Sequence, residues 1–276
     1  MTRCKAFKLL FAPATMLLMA LPAWPAPFFS DGFESGTLDH TEPGVQYGSS
    51  IYTSVTNERA RTGQFALRFT FKGGATGEDA WSEQRLSFPD RTELWIAYDL
   101  YVPLNYAHRT ESGASNNKFL AIYRAPYTDP GFHLNWSVNP DGDGGSNLFL
   151  HRYRNGTEQA ARPPADDLGV GVLTADDRGQ WVRIEAFIRV PSSADSNDGV
   201  MRMWKNGTLV TDETALNNYG GDDENYFNEL YLLGWSNSGF DEDTVLYIDN
   251  LSLSEQSLAA PKPPRNPTIR IEVDSE

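Results

Sequence analysis

The stretch WVRIEAFIRV (181–190) alternates without interruption. Val182, Ile184, Ala186, Ile188 and Val190 fall on one side, and Trp181, Arg183, Glu185, Phe187 and Arg189 on the other. A repeat of two places successive side chains on opposite faces of an extended chain, so this segment is a strand with one face in a core. Similar runs fill the chain: SSIYTSVT (49–56), FALRFTFK (65–72), AWSEQRLSF (80–88), ELWIAYDLYV (93–102), NKFLAIYR (117–124), GFHLNWSV (131–138), SNLFLHRY (146–153), NELYLLGW (228–235) and DTVLYIDNLSL (243–253). Turn clusters such as NPDGDGGSN and PSSADSNDG separate them, and no helical period intervenes. In NDGVMRMWKNGTLV (197–210), Asn206-Gly207 supplies the positive backbone angles of a two-residue hairpin turn. Many short strands with polar, Gly-rich connections predict an all-β antiparallel sandwich or barrel.

The two ends read differently. Arg3, Lys5 and Lys8 precede the apolar run LLFAPATMLLMAL, with small residues at Ala20, Ala23 and Ala26. This is the pattern of an export signal over residues 1–26, and it predicts a secreted or periplasmic protein. The chain's one cysteine, Cys4, lies in that leader. The expected domain, residues 27–254, therefore excludes disulfides, thiolate metal sites and cysteine nucleophiles. After it, residues 255–276 become Pro-rich (LAAPKPPRNPT), as in a tail or linker. The formal charge of −14 becomes about −17 once the three basic leader residues leave. So acidic a chain is not expected to bind nucleic acid, which needs positive potential. No other segment predicts a membrane span, and a monomer is expected.

Period-two reading also groups the polar side chains. In AWSEQRLSF, Leu86 and Phe88 point inward and Trp81, Glu83 and Arg85 share the other side. GFHLNWSV buries Phe132, Leu134, Trp136 and Val138, leaving His133, Asn135 and Ser137 together. SNLFLHRY pairs Leu148 with Leu150, against Asn147, Phe149, His151 and Tyr153. Faces that mix aromatic rings with Arg, His, Asn and Glu suit a polysaccharide, whose rings stack on aromatics and whose hydroxyls and carboxylates take planar polar groups. They equally suit ordinary solvated faces, and the sequence does not say which strands are neighbours.

The start FFSDGFESG, the middle GQWVRIEAFIRV…NDGVMRMWKNGTLV and the end LYIDNLSLSE resemble the concanavalin A-like lectin/glucanase jelly rolls. Within these they are most similar to bacterial polysaccharide lyases of the heparin-lyase and alginate-lyase kind. The resemblance spans roughly residues 28 to 254 and implies two stacked antiparallel sheets, one concave, with a glycan in the groove. The glucanase branch requires Glu-x-Asp-x-x-Glu on one strand, since double displacement needs two carboxyls about 5 Å apart. No strand here carries it.

The lyase branch requires a donor that neutralises a uronate carboxylate, a base for the C5 proton and an acid for the leaving oxygen. Arg85, Lys118, His133 and Tyr153 are the candidate catalytic residues. Trp81, Glu83, Asn135, His151 and Arg183 are the candidate substrate contacts. Ser82-Glu83-Gln84-Arg85 matches the last part of the alginate-lyase pattern Arg-x-Glu-Leu-Arg, without its first arginine. NNKFLAIY lacks the Gln-x-His of the neighbouring strand in those enzymes, so the histidine's role passes to His133. The resemblance further implies one structural Ca²⁺ between the first and last strands, with Glu34 and Asp249 as ligands; alternatively these two carboxylates accept backbone hydrogen bonds. No organic cofactor is expected. A carbohydrate-binding module without catalysis on the same fold is the other reading.

Overall fold

The computed structural model describes residues 26–39, 41–109, 117–127, 133–140, 144–154, 157–162, 171–218 and 225–257, with the side chains of 152–162 outside the described set. The expected leader and Pro-rich tail lie almost wholly outside the described residues. The described chain is a succession of strands: β1 (Phe29–Asp31), β2 (Gln46–Ile51), β3 (Thr53–Thr56), β4 (Ala66–Phe71), β5 (Ala80–Arg91), β6 (Glu93–Val102), β7 (Asn117–Tyr123) and β8 (His133–Pro140). There follow β9 (Ser146–Arg154), β10 (Thr157–Arg162), β11 (Gln180–Arg189), β12 (Gly199–Lys205), β13 (Thr208–Leu216), β14 (Phe227–Ser236) and β15 (Thr244–Ser254). One 3₁₀ turn, Ala175–Asp177, precedes β11.

The strands form two antiparallel sheets. The eight-stranded sheet runs β13-β12-β11-β6-β15-β4-β3, and the seven-stranded sheet runs β10-β9-β8-β7-β14-β5-β2. In the first, β4 pairs with Thr244–Ile248 of β15 and β1 with Leu251–Leu253. The two sheets stack as a sandwich rather than closing into a barrel. The alternation read from β11 holds: Val182, Ile184, Ala186 and Ile188 are at most 1% exposed and enter one core with Leu134, Trp136 and Val138 from β8 and Leu86 and Phe88 from β5. Each of the larger side chains contributes about 1.5–3 kcal/mol of burial, which is why register is strongly fixed wherever a face is apolar.

The 197–210 hairpin closes with Asn206 at φ 49° and Gly207 at φ 77°, as its Asn-Gly pair requires. Its outward side chains serve the eight-stranded sheet. Trp204 stacks on Trp95 (5.4 Å), Trp95 stacks on Phe187 (4.6 Å), and Arg202 donates to Asp212 at 2.6 Å.

Candidate functional site

The seven-stranded sheet presents a polar, aromatic face away from the core. Two cross-strand rows run over it. In one, Arg85 is opposite Tyr231, Tyr231 opposite Ala121, Ala121 opposite Asn135 and Asn135 opposite His151. In the next, Glu229 is opposite Tyr123, Tyr123 opposite His133 and His133 opposite Tyr153. Neighbouring strands lie about 4.8 Å apart, so the longer row, crossing five strands, spans about 19 Å, the length of several sugar residues.

These groups are recessed although they do not belong to the core. Asn135 is 0% exposed, and neither its amide nitrogen nor its carbonyl oxygen has a hydrogen-bond partner. Buried polar groups are nearly always paired, because each unmet group costs about 1–3 kcal/mol. A doubly unmet carboxamide beside a histidine makes Asn135 a candidate contact for a planar polar ligand. Beside it, His151 Nε2 and Ser137 Oγ lie 2.6 Å apart, which orients the imidazole.

Tyr127, from the segment after β7, roofs the centre. Its ring lies 5.1 Å from Tyr123, 5.0 Å from His133 and 5.8 Å from Tyr231, and the Arg85 guanidinium sits over it at 5.4 Å. Along β5, Arg85 Nε donates to Glu83 Oε1 (2.6 Å) and Trp81 Nε1 to Glu83 Oε2 (3.4 Å). Burial works against the charge on Arg85, but the Glu83 hydrogen bond together with the favourable electrostatics of Tyr123, Glu83 and Glu229 outweighs it, so the guanidinium titrates above its ordinary range.

A bulge in β14 completes the arrangement. The β14–β7 register shifts between Leu232 and Ser236, with Leu233 at φ 55° and Gly234 at φ 136°. Leu233 turns into the core, while Tyr231 and Trp235 stay on the outer face. A Cβ on Gly234 would lie 3.1 Å from Lys118 Cβ, 3.2 Å from Tyr231 Cε2 and 3.4 Å from Glu83 Oε2. Only glycine lets these three converge. Bulges of this kind re-aim side chains next to sites.

Burial lowers the His133 pKa to about 4, and the positive charge of Lys118 adds to the effect. The imidazole is therefore neutral at ordinary pH and available as a base. Burial raises Tyr231, with the adjacent Tyr127 adding to it; burial and the charge of Glu229 raise Tyr123. Both phenols keep their protons and can donate them.

Of the candidates drawn from the sequence, Trp81, Glu83, Arg85, Lys118, His133, Asn135 and His151 share this face. Tyr153 stands opposite His133 by backbone register, and its side chain lies outside the described residues. Arg183 belongs elsewhere. It is on β11 of the eight-stranded sheet, where its guanidinium lies 3.7 Å from Asp99 and 3.8 Å from Glu185 and donates to the Asn250 carbonyl at 3.4 Å. Tyr123, Tyr127, Tyr231, Glu229 and Trp235 join this face beyond the candidates drawn from the sequence. The alternation of NELYLLGW places Glu229, Tyr231 and Trp235 on one side.

Glu34 and Asp249 sit near each other about Gly32. Glu34 accepts from the Gln64 and Phe65 N–H groups at 3.0 and 3.1 Å. Asp249 accepts from Arg61 (2.7 Å), Thr62 (2.9 Å) and Asn250 (2.7 Å). Calcium takes six to eight oxygens, backbone and Asn carbonyls among them; here the two carboxylates accept from N–H groups, and through these bonds they tie the 61–65 segment to the end of β1 and to β15.

A family model described as "Polysaccharide lyase" matches residues 33–252. Among solved structures, a mutant of alginate lyase Aly36B in complex with alginate trisaccharide aligns with a TM-score of 0.55 at 15% identity, covering 77% of this chain and 88% of that one. Alginate lyase vAL-1 from Chlorella virus aligns at 0.56 and 10% identity, covering 77% and 93%. Cellulose induced protein Cip1 aligns at 0.51 and 13%, covering 83% and 97%. At these identities the likeness shows the shared fold. No curated protein matches the chain.

Proposed function

Because the chain belongs to the polysaccharide lyase family, we propose that it cleaves a uronate-containing glycan by β-elimination on the outer face of the seven-stranded sheet. The observation that carries this reading is Asn135: a carboxamide removed from solvent, unmet at both ends, and set in register between the Arg85–Tyr231 row and His151. Its amide N–H₂ and the Arg85 guanidinium are the donors for the uronate carboxylate. Withdrawing charge from the carboxylate acidifies the C5 proton. Neutral His133 takes that proton, and the electron pair forms the C4–C5 double bond as the C4–O bond breaks. Tyr231, holding its phenolic proton, protonates the departing oxygen. Lys118 adds to the burial that keeps His133 unprotonated, and brings positive charge where negative charge develops. Tyr127 covers the centre and limits water there. The basic and apolar start of the chain supports an exported enzyme acting on a polymer outside the cytoplasm.

The test is incubation with alginate, glucuronan, heparin and pectate while following the ultraviolet absorbance of the unsaturated product. Turnover on one polymer is expected, lost in Arg85→Ala and kept in Arg183→Ala, whose side chain lies on the other sheet. Retention on a polysaccharide gel with no product from any polymer would instead mark a binding module.

A further inference from the structure

Among the described residues, Tyr52, Leu104 and Trp235 are the large apolar side chains most open to solvent. Two of them stand at one end of the seven-stranded sheet. Trp235 on β14 is 39% exposed and lies opposite Trp81 on β5, their rings 5.0 Å apart at 43°. Tyr52, 63% exposed, links β2 to β3, and its carbonyl accepts from Ser82 Oγ at 3.2 Å, one residue from Trp81. It holds φ 52°, a conformation bulky side chains rarely adopt.

The mount behind Trp235 is rigid. Ser236 Oγ and Ser238 Oγ both donate to Asn117 Oδ1, at 2.6 and 2.7 Å. Buried Arg109 then ties the Ser238 carbonyl to those of Gly74 and Ala75. A partly exposed aromatic pair fixed in place is poised for contact, since neither ring belongs to the main core. The pair is also continuous with the site, because Trp81 Nε1 and Arg85 Nε share the Glu83 carboxylate.

We propose that Trp81 and Trp235, with Tyr52 at the rim, form a distal subsite that stacks a pyranose ring of the same glycan chain. The proposal rests on the lyase reading of this face. The Trp81 and Arg85 backbones are four residues apart on one strand, about 13 Å, while their side chains meet on the Glu83 carboxylate, so the stacked ring is a neighbour of the one being cleaved. The Glu83 carboxylate beside Trp81 repels an acidic substituent, so the subsite takes the apolar face of the ring and turns the sugar's carboxylate away. The consequence is selection for long chains over short fragments. Aromatic stacking on a sugar is a dispersion and desolvation contact, indifferent to the chemistry at C5.

The test compares the full-length protein with Trp235→Ala and Trp235→Phe on sodium alginate and on size-fractionated alginate oligosaccharides, or on whichever polymer the wild type cleaves. In Trp235→Ala, KM for long chains is expected to rise about tenfold and to rise less for fragments too short to reach the pair, with Trp235→Phe recovering much of the loss. An unchanged KM for long chains, in a variant melting like the wild type, overturns the subsite while leaving the lyase reading intact. If the wild type yields no product from any polymer, the lyase reading fails separately, and tryptophan fluorescence then decides. Quenching by a polymer that disappears in Trp235→Ala supports the subsite, and no quenching by any polymer overturns it.

Discussion

Asn135→Val should make the protein more stable and nearly inactive. In the native protein the Asn135 carboxamide is 0% exposed with donor and acceptor both unmet. Each unmet group costs about 1–3 kcal/mol. Valine removes both, opens no cavity and suits a strand position. Taking the low end for each group, the gain is about 2 kcal/mol. For a domain of this size that corresponds to roughly 4–8 °C in Tm. Turnover should fall by about 10²–10³, the usual loss when one preorganised donor is removed from a developing anion. Asn135→Asp, of the same shape, should melt lower than the wild type, because it buries a charge, and should be inactive, because that charge opposes a uronate. The assay is a circular-dichroism melt at neutral pH alongside initial rates from product absorbance. A valine variant that melts lower and keeps its turnover would refute the reasoning. The carboxamide would then be serving the fold, through a bound water, rather than waiting for a substrate.

Three further outcomes are expected. With the His133 pKa near 4, the acidic limb of kcat/KM should fall near pH 4 rather than near the ordinary 6.5, and Lys118→Met should move that limb upward; a wild-type limb at 6.5 would exclude His133 as the base. The same shift acts on stability. Between pH 6.5 and 4 the unfolded chain takes up a proton that the native protein refuses, so stability falls as pH falls through that window, by about 1.4 kcal/mol per unit, and His133→Gln should flatten the decline in pH-dependent melts. On the eight-stranded sheet, Asp249→Asn replaces an acceptor of three backbone N–H groups with a side chain that carries its own donor. It should lower stability by about 1–3 kcal/mol, while added Ca²⁺ leaves the wild-type Tm unmoved; a calcium-dependent rise in Tm would favour the metal reading.

The fold was legible because alternation is local. The inward residues of β5, β8 and β11 named from the sequence are the ones that pack between the sheets. The site was legible only in part, for two physical reasons. First, bulges break parity. Strict alternation along β7 puts Lys118 on the side of Leu120 and Ile122, yet the register shift between Lys118 and Leu120 brings it beside Gly234 with Tyr231 and Glu83. Leu233 inverts in the same way through a positive φ that no residue type announces. Tyr127 comes from a connection, where no period applies.

Second, alternation assigns a residue to a face of its strand but not to a sheet. Arg183 and Arg85 have the same local signature, an arginine alternating with aromatic and acidic neighbours. Long-range pairing puts one between β6 and β12 and the other between β2 and β14. What separates the two faces is how their polar groups are satisfied. On the eight-stranded sheet, Arg183 is matched by Asp99, Glu185 and the Asn250 carbonyl, Arg202 by Asp212, and the rings of Trp95, Phe187 and Trp204 by one another. These groups are matched without a ligand. On the seven-stranded sheet the Asn135 carboxamide is unmet and the Trp81–Trp235 pair is partly bare. Such deficits lower stability unless something arrives to fill them, and a polymer carrying carboxylates and pyranose rings fills both kinds at once.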